Sequence, residues 1–254
     1  MPDTRVRRVP GPRREEVALL AGVSSDYYAR LEQGRKITPS PAVVDAISRA
    51  LDLDAAGRSH LQSLIERDGS RKPHRVPAQR ARRSLRQFVQ SLDVPAMVLG
   101  RRAEVLVTNL LARALLCDFE RLPARERNYA RWILLDEAAR DLFLDWQEQA
   151  RIVVQNLRLD VGRHPEDASS PLVQELTAAS PDFVRWWGEH AVSQRTFGTK
   201  RFAHPVVGRI DVQYETLLLP GDEDQTLFVY STEPDTASRE AMNLLASWTL
   251  SSRS

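Results

Sequence analysis

Four polar side chains follow a glycine turn near the start of the chain, on a short helix whose apolar residues point elsewhere. They are Ser25, Asp26, Tyr27 and Arg30. Tyr28 and Leu31 fall on a different side of the same helix. An arginine can donate to guanine and a carboxylate can accept from cytosine N4, so a helix of this kind can read base edges in a major groove.

Two short helices are predicted to position these groups. The first runs from 13 to 21, and its apolar positions recur at three-and-four spacing. These positions are Val17, Ala18 and either Leu20 or Ala21. Gly22 ends the first helix because glycine tolerates a positive φ, and Ser24 is a suitable N-cap for the second. Gly34 closes the second helix, so the segment is predicted to be a helical hairpin.

The segments REEVALLAGVS and YYARLEQGR are similar to the helix-turn-helix of repressor-like regulators of the xenobiotic-response-element and lambda-repressor type. The resemblance implies that Arg14 lies close to phosphate, that Ser24 is the cap, and that Arg35 and Lys36 are basic residues beyond the second helix. It also implies a base-reading face, made of Ser25, Asp26, Tyr27 and Arg30. The alternative interpretation is that these side chains are only the solvated surface of a helical hairpin.

Repressor-like domains carry a helix before the two motif helices, and residues 1–12 depart from that pattern. The segment ends in Val-Pro-Gly-Pro and has no apolar periodicity, so the first helix is expected to be missing. The sequence therefore leaves three hypotheses open. One is a DNA-binding regulator, another is a ligand-binding or partner-binding protein that has lost DNA binding, and the third is an enzyme that acts on a small molecule in its second domain.

The remaining domain organisation follows from composition. Apolar spacing predicts helices over 42–54 and 55–66, which complete a helix-turn-helix domain spanning 1–67. Residues 68–83 have two prolines, many basic side chains and no apolar stripe, so they are predicted to be an extended linker that is either simply solvated or contacts phosphate. A second domain is expected over 84–254.

The net charge of +2 conceals an uneven distribution. Residues 1–86 contain 18 lysines and arginines against 10 acidic residues, a net charge of +8, whereas the rest contains 18 against 24, a net charge of −6. A basic N-terminal region joined to an acidic C-terminal region favours nucleic-acid contact by the N-terminal region alone.

Several classes of function are disfavoured. The 254 residues contain no apolar run of the roughly 20 residues needed for a membrane span and no signal peptide, so the chain is expected to be cytoplasmic. Cys117 is the single cysteine, which excludes a disulfide within the chain. The five histidines have no metal-ligand spacing, and no nucleophile-elbow, Walker or dinucleotide motif is present. No enzymatic activity, metal or cofactor is therefore expected.

The second domain is predicted to have α+β structure. After a helix over 83–92, β-rich runs at 96–100 and 103–108 form a hairpin. Helices are then predicted over 110–117, 124–135, 138–162, 171–179 and 182–190. Three strands follow over 195–204, 206–219 and 225–232, and a last helix over 236–248. This order gives a five-stranded antiparallel sheet with helices.

The order of these elements resembles that of a PAS-like sensor domain, and the amino-acid sequence of several segments resembles the MmyB-like regulators of actinobacteria. The segments that carry the resemblance are PAMVLGRRAEVLVTNLLARALLCDF, RERNYARWILLDEAARDLF, RTFGTKRFAHPVVGRIDVQYETLLLP and FVYSTEP. The resemblance implies a regulator that binds double-stranded DNA, is expected to act as a homodimer, and senses a fatty acid or similar apolar molecule.

Candidate ligand contacts are chosen by side-chain chemistry. Aromatic residues that can line an apolar cavity are Trp132, Phe143, Trp146, Trp186, Phe202, Tyr214 and Phe228. Polar residues that can hold a head group are Arg127, Arg131 and Arg195. Asn109, which matches an Asn of the family that it resembles, is a further candidate ligand contact. For each aromatic residue the alternative is ordinary core packing, and for each arginine it is a structural ion pair.

Overall fold

The chain divides into two compact units, Met1–Lys72 and Pro73–Ser254. The computed structural model describes residues 12–35, 37, 39–65, 79–164, 170–192, 195–222 and 224–251. The expectation of a missing first helix concerns residues that lie outside this range, apart from Pro12. Lys36 and most of the predicted linker 68–83 also lie outside it.

The described part of the N-terminal unit is a set of short helices. They are α1 (Arg14–Leu20), α2 (Ser25–Glu32), α3 (Pro41–Ala50) and α4 (Ala55–Ile65). The start of α2 is held by Ser24, whose Oγ accepts a hydrogen bond from the backbone amide of Tyr27 at 3.1 Å. Gly22, with φ at 68°, turns the chain after α1. The predicted helical hairpin and its cap are confirmed.

A small apolar core lies between α1 and α3. It contains Val17, Ala18 and Ala21 around α1 and Val44 and Ile47 on α3. The apolar spacing allowed either Leu20 or Ala21 as the last core position of this helix. The structure buries Ala21, whereas Leu20 is 67% exposed.

The C-terminal unit is built on one antiparallel sheet with the strand order β2-β1-β5-β4-β3. The strands are β1 (Ala96–Leu99), β2 (Val105–Thr108), β3 (Phe197–His204), β4 (Gly208–Leu218) and β5 (Thr226–Ser231). The first and last strands of the chain meet at the centre, with Met97 opposite Phe228. The predicted fold class, a helical N-terminal region followed by an α+β domain with a five-stranded antiparallel sheet, is confirmed.

Helices surround this sheet. They are α5 (Arg83–Ser91), α6 (Leu110–Leu115), α7 (Tyr129–Leu135), α8 (Glu137–Leu142), α9 (Trp146–Arg163), α10 (Pro171–Ala179), α11 (Pro181–Gly188) and α12 (Ala237–Ser251). In the part of the chain that the structure describes, none of them has the length and apolarity needed to cross a bilayer.

The prediction of one helix over 138–162 is wrong, because the chain leaves helical geometry between α8 and α9. Phe143 forms an isolated β-bridge with Phe202 of β3. The backbone amide of Leu144 then donates to the carbonyl of Arg201 at 2.9 Å. This pairing with the sheet edge replaces helical hydrogen bonds and lets α9 start in a new direction.

The two faces of the sheet are covered by different elements. On one face, Leu85 and Val89 of α5 pack against Val98 and Val107. The other face carries a larger core, in which sheet residues such as Phe202 pack with the inner faces of α7 to α12. Because α9 lies over this second face, the space between α9 and the sheet is the interior of the domain.

Candidate functional site

The helix α2 presents a polar surface to solvent. Ser25, Asp26 and Arg30 are exposed on it, Tyr27 is half-buried, and Arg35 is exposed just beyond its end. The structure therefore brings these predicted DNA-contacting residues to one helix and the turn that follows. Lys36 lies outside the described residues.

Ion pairs hold two of the predicted arginines. Arg14 of α1 pairs with the carboxylate of Glu32, which joins the start of α1 to the end of α2. Arg30 lies 4.0 Å from the carboxylate of Asp26 one helical turn away. Exposed ion pairs typically contribute only about 0.2–1 kcal/mol, so each of the two arginines can exchange its carboxylate partner for a base or a phosphate.

A cavity of about 170 Å³ lies between α9 and the sheet in the C-terminal unit. Its apolar wall is formed by Leu99, Ile152, Val153, Leu157, Leu218 and Phe228. A polar surface hollow, bordered by Glu148 and Arg201, adjoins the cavity and shares Gln149, Ile152, Arg195 and Tyr214 with it. Tyr214 and Leu218 lie four residues apart on β4, so the cavity extends about 13 Å along the strand at 3.3 Å per residue.

The end of the cavity at Tyr214 contains a buried lysine. Lys200 is only 6% exposed, and its Nζ donates to the hydroxyl of Tyr129 at 2.9 Å. Within the described residues this hydroxyl is the only hydrogen-bond partner of the ammonium, and no carboxylate lies within ion-pair distance of it. Asp145, the carboxylate that acts on it through space, instead lies 3.5 Å from Arg201.

Aromatic rings surround the ammonium of Lys200. The ring centres of Tyr129 and Tyr214 each lie 5.1 Å from Nζ, and those of Tyr230 and Phe143 lie at 5.6 Å and 5.7 Å. Ring faces attract a cation but do not replace the water that burial removes. Burial therefore lowers the pKa of Lys200 from 10.5 to about 7, with only partial opposition from the Asp145 carboxylate.

A second polar cluster closes the opposite end of the cavity. Arg101 Nη1 lies 2.9 Å from His164 Nδ1, and His164 Nε2 lies 3.1 Å from Asp224 Oδ1. These contacts join the β1–β2 turn, the end of α9 and the β4–β5 turn. Burial raises the pKa of the neighbouring Asp160 to about 6, although the positive charge of Arg163 opposes this shift.

The predicted aromatic residues fall into two groups. Those that line the cavity are Tyr214 and Phe228. Those that pack in the core without lining it are Trp132, Phe143, Trp146, Trp186 and Phe202. Within the second group the rings contact each other, as with Trp132 and Phe143 at 5.9 Å between centres, and Trp146 Nε1 donates to a backbone carbonyl at 2.7 Å. The structure therefore brings two of the seven to the cavity.

Of the predicted polar residues, only Arg195 lines the cavity, where its Nη1 donates to Glu148 at 3.1 Å. Arg127 donates to two backbone carbonyls, and Arg131 donates to a glutamate of α10 at 2.8 Å. Asn109 caps α6, and its Oδ1 accepts from two backbone amides. These three side chains hold local structure away from the cavity.

The prediction from residue types missed Lys200, since the charged candidates considered were arginines. The signal that indicates its burial is the alternation along β3, where Lys200, Phe202 and His204 share the inward side of the strand. Tyr129 was missed because it opens α7 directly after the polar segment 125–128. Both side chains line the cavity.

Metal and thiol chemistry find no support in the described part of the chain. No group of His, Cys, Asp and Glu side chains there is placed to hold a metal ion. Cys117 is a free, half-buried thiol, and burial raises its pKa to about 11. A thiol of this kind stays protonated and unreactive at neutral pH.

The hairpin of α1 and α2 and the α+β domain with its interior cavity define a helix-turn-helix regulator with a ligand-binding domain. A family model described as the MmyB-like transcription regulator ligand binding domain matches residues 81–245, and a helix-turn-helix domain model matches residues 4–61. The first match spans more than half of the chain, so the protein belongs to the MmyB-like transcription regulators. No curated protein matches the chain. The protein is thus a DNA-binding transcription regulator with a ligand-sensing domain.

Proposed function

We propose that this regulator senses an apolar small molecule such as a fatty acid, which binds in the cavity between α9 and the sheet. The observation that supports the proposal is the wall of the cavity, where apolar side chains from α9, β1, β4 and β5 face a common space. Small-molecule sites are typically concave and mostly apolar with few polar groups. Each methylene that a ligand buries there contributes about 0.8 kcal/mol.

The size of the cavity limits the ligand. Its volume of about 170 Å³ is close to the roughly 150 Å³ of an apolar protein cavity that takes up benzene. A ligand of about six carbons therefore fills this space, and a longer chain, such as one of ten carbons, requires either expansion of the domain or passage into the adjoining hollow near Arg195. We expect affinity to rise with chain length and then to level off.

The N-terminal unit is proposed to bind operator DNA in the cytoplasm, with α2 in the major groove. Its exposed polar side chains are the candidates for base contacts, namely Ser25, Asp26, Tyr27 and Arg30. Arg14, Arg35 and Lys36 are proposed to contact phosphates, and Ser24 keeps its role as the cap. The net charge of +8 over residues 1–86 supports this assignment.

Ligand control requires that the ligand bind the DNA-competent and DNA-incompetent arrangements with different affinity. We propose that the regulator acts as a homodimer, because two helix-turn-helix heads bind two half-sites with a spacing set by their relative placement. A ligand that changes this placement changes the affinity for DNA. Light scattering of the purified protein, with and without ligand, tests the dimer directly.

The DNA-binding proposal is tested with a labelled fragment of the DNA upstream of the gene. The Arg30→Ala variant is expected to lose about fivefold or more in affinity, since one good base contact contributes about 1–3 kcal/mol. The Arg49→Ala variant removes the same charge from the exposed side of α3 and serves as the matched control. Equal losses in the two variants would contradict base reading by α2.

The ligand proposal is tested by filling the cavity. Val153 lines it, and the Val153→Phe variant is expected to abolish binding of decanol or decanoate in calorimetry. The Val184→Phe variant adds the same atoms at a site that is 48% exposed and is expected to bind normally. Unchanged binding by Val153→Phe would place the ligand elsewhere.

A further inference from the structure

We propose that the ligand carries a single carboxylate, which binds Lys200 at the Tyr129 end of the cavity while the apolar tail follows α9 toward Leu99. This inference rests on the proposed function, since it names the head-group partner within the same cavity. It also assigns the head-group anchor, the side chain that binds the carboxylate of the ligand, to a lysine and not to one of the arginines that the sequence suggested.

The first argument is the missing counter-ion of Lys200. A buried charge is stable only when it is paired, so buried lysines usually have a carboxylate partner. In the described part of the structure, Nζ has the hydroxyl of Tyr129 and no carboxylate within ion-pair distance. The same side chain borders the cavity, so a carboxylate inside the cavity can supply the missing partner.

The second argument is the number of donors at this end. Nζ of Lys200 and the hydroxyl of Tyr129 lie 2.9 Å apart, which gives two adjacent donors for the two oxygens of a carboxylate. Burial raises the pKa of Tyr129, so its hydroxyl keeps the proton that it would donate. A phosphate has more oxygens and a higher charge, and it requires more donors than this end provides.

The other cations of the cavity are less suited to this role. The side chain of Arg195 is 53% exposed and paired with Glu148, so solvent screens its charge. Arg101 is bonded to His164 at the opposite end.

The proposal predicts that ligand binding is coupled to a proton. Because the pKa of free Lys200 is about 7, most chains carry a neutral amine at pH 8. The groups that face Nζ are Tyr129, Tyr214 and Tyr230, whose pKa values burial raises, and the more distant carboxylate of Asp145. None of them can provide a proton as easily as solvent, so a carboxylate that favours the ammonium form draws one proton from the buffer.

The test is calorimetry of the full chain at pH 8 with decanoate and decanol, in two buffers of different ionisation enthalpy. Decanoate is expected to take up close to one proton for each molecule bound, and decanol none. The Lys200→Met variant keeps the length of the side chain. It is expected to lose about tenfold to a hundredfold in affinity for decanoate and about twofold or less for decanol.

Two further variants complete the design. Tyr129→Phe removes one donor but keeps the ring, so it is expected to weaken decanoate selectively. Arg209→Met is the matched control, because it removes a cation whose side chain is 67% exposed on β4 and does not line the cavity. Should Lys200→Met fail to fold, proton uptake by the wild-type chain together with a selective loss of decanoate affinity in Tyr129→Phe decides the matter. Binding of both ligands without proton uptake would overturn the anchor and leave the proposed function intact. Binding of neither ligand would overturn the proposed function itself.

Discussion

The burial of Lys200 predicts a specific dependence of stability on pH. Its pKa falls from 10.5 in the unfolded chain to about 7 in the fold, a difference of about 3.5 units. At about 1.36 kcal/mol per unit, the burial of the ammonium costs up to about 5 kcal/mol below pH 7 in the ligand-free protein. The Lys200→Met variant does not carry this cost.

The sign of the dependence follows from proton counting. Between pH 7 and pH 10.5 the unfolded chain keeps the proton on Lys200 while the folded chain loses it, so stability of the wild type rises with pH in this window. Integration from pH 7 to pH 9 gives a rise of about 2 kcal/mol. The difference in unfolding free energy between Lys200→Met and wild type is therefore expected to shrink by the same amount.

The assay is urea unfolding of the ligand-free chain followed by tryptophan fluorescence. All five tryptophans lie in the C-terminal unit, so the signal reports that unit alone. Titration of other groups, such as Cys117, contributes equally to both proteins and cancels in the difference. A difference that is constant between pH 7 and pH 9, or that grows, would refute the account of the Lys200 environment.

Three other perturbations follow from the same structure. Asp160→Asn is expected to stabilise the C-terminal unit at pH 8 by up to about 3 kcal/mol, because the raised pKa of Asp160 makes its charged form unfavourable. Urea titrations should show that this gain in unfolding free energy disappears below pH 4, and a gain independent of pH would contradict this cause. Ser24→Ala removes the cap of α2 and is expected to lower the protection of the Tyr27 amide in hydrogen exchange, by an amount that corresponds to about 1 kcal/mol of opening free energy. Unchanged protection would contradict the capping role of Ser24. Phe143→Ala is expected to destabilise the C-terminal unit by about 3–5 kcal/mol in urea titrations, since its ring is buried against Phe202, and a loss below 1 kcal/mol would contradict that packing.

The elements that the sequence predicts well are those with local signals. Gly22 ends the first helix of the hairpin with a positive φ, and Ser24 caps the start of the second. Both effects depend on neighbouring residues only. The strands of the sheet were also predicted, because alternation and turn residues are local. The break between α8 and α9 was not predicted, because it depends on the pairing of Phe143 with a strand some sixty residues later in the chain.

The cavity was harder to predict than the fold. Aromatic residue type does not separate Phe228, which lines the cavity, from Trp146, which packs in the core. The distinction depends on which side of each element faces the gap beneath α9. Lys200 was missed for a related reason: lysine is rarely buried, and only the inward register of β3 reveals that it is.

The most direct test of the central proposal is the affinity of the full chain for its upstream DNA, measured by fluorescence anisotropy with and without saturating decanoate. If the C-terminal domain controls the helix-turn-helix through its ligand, affinity is expected to change at least about fivefold, and DNA is expected to change the affinity for decanoate by the same factor. Salt-dependent DNA binding that is identical with and without bound decanoate would contradict the proposal.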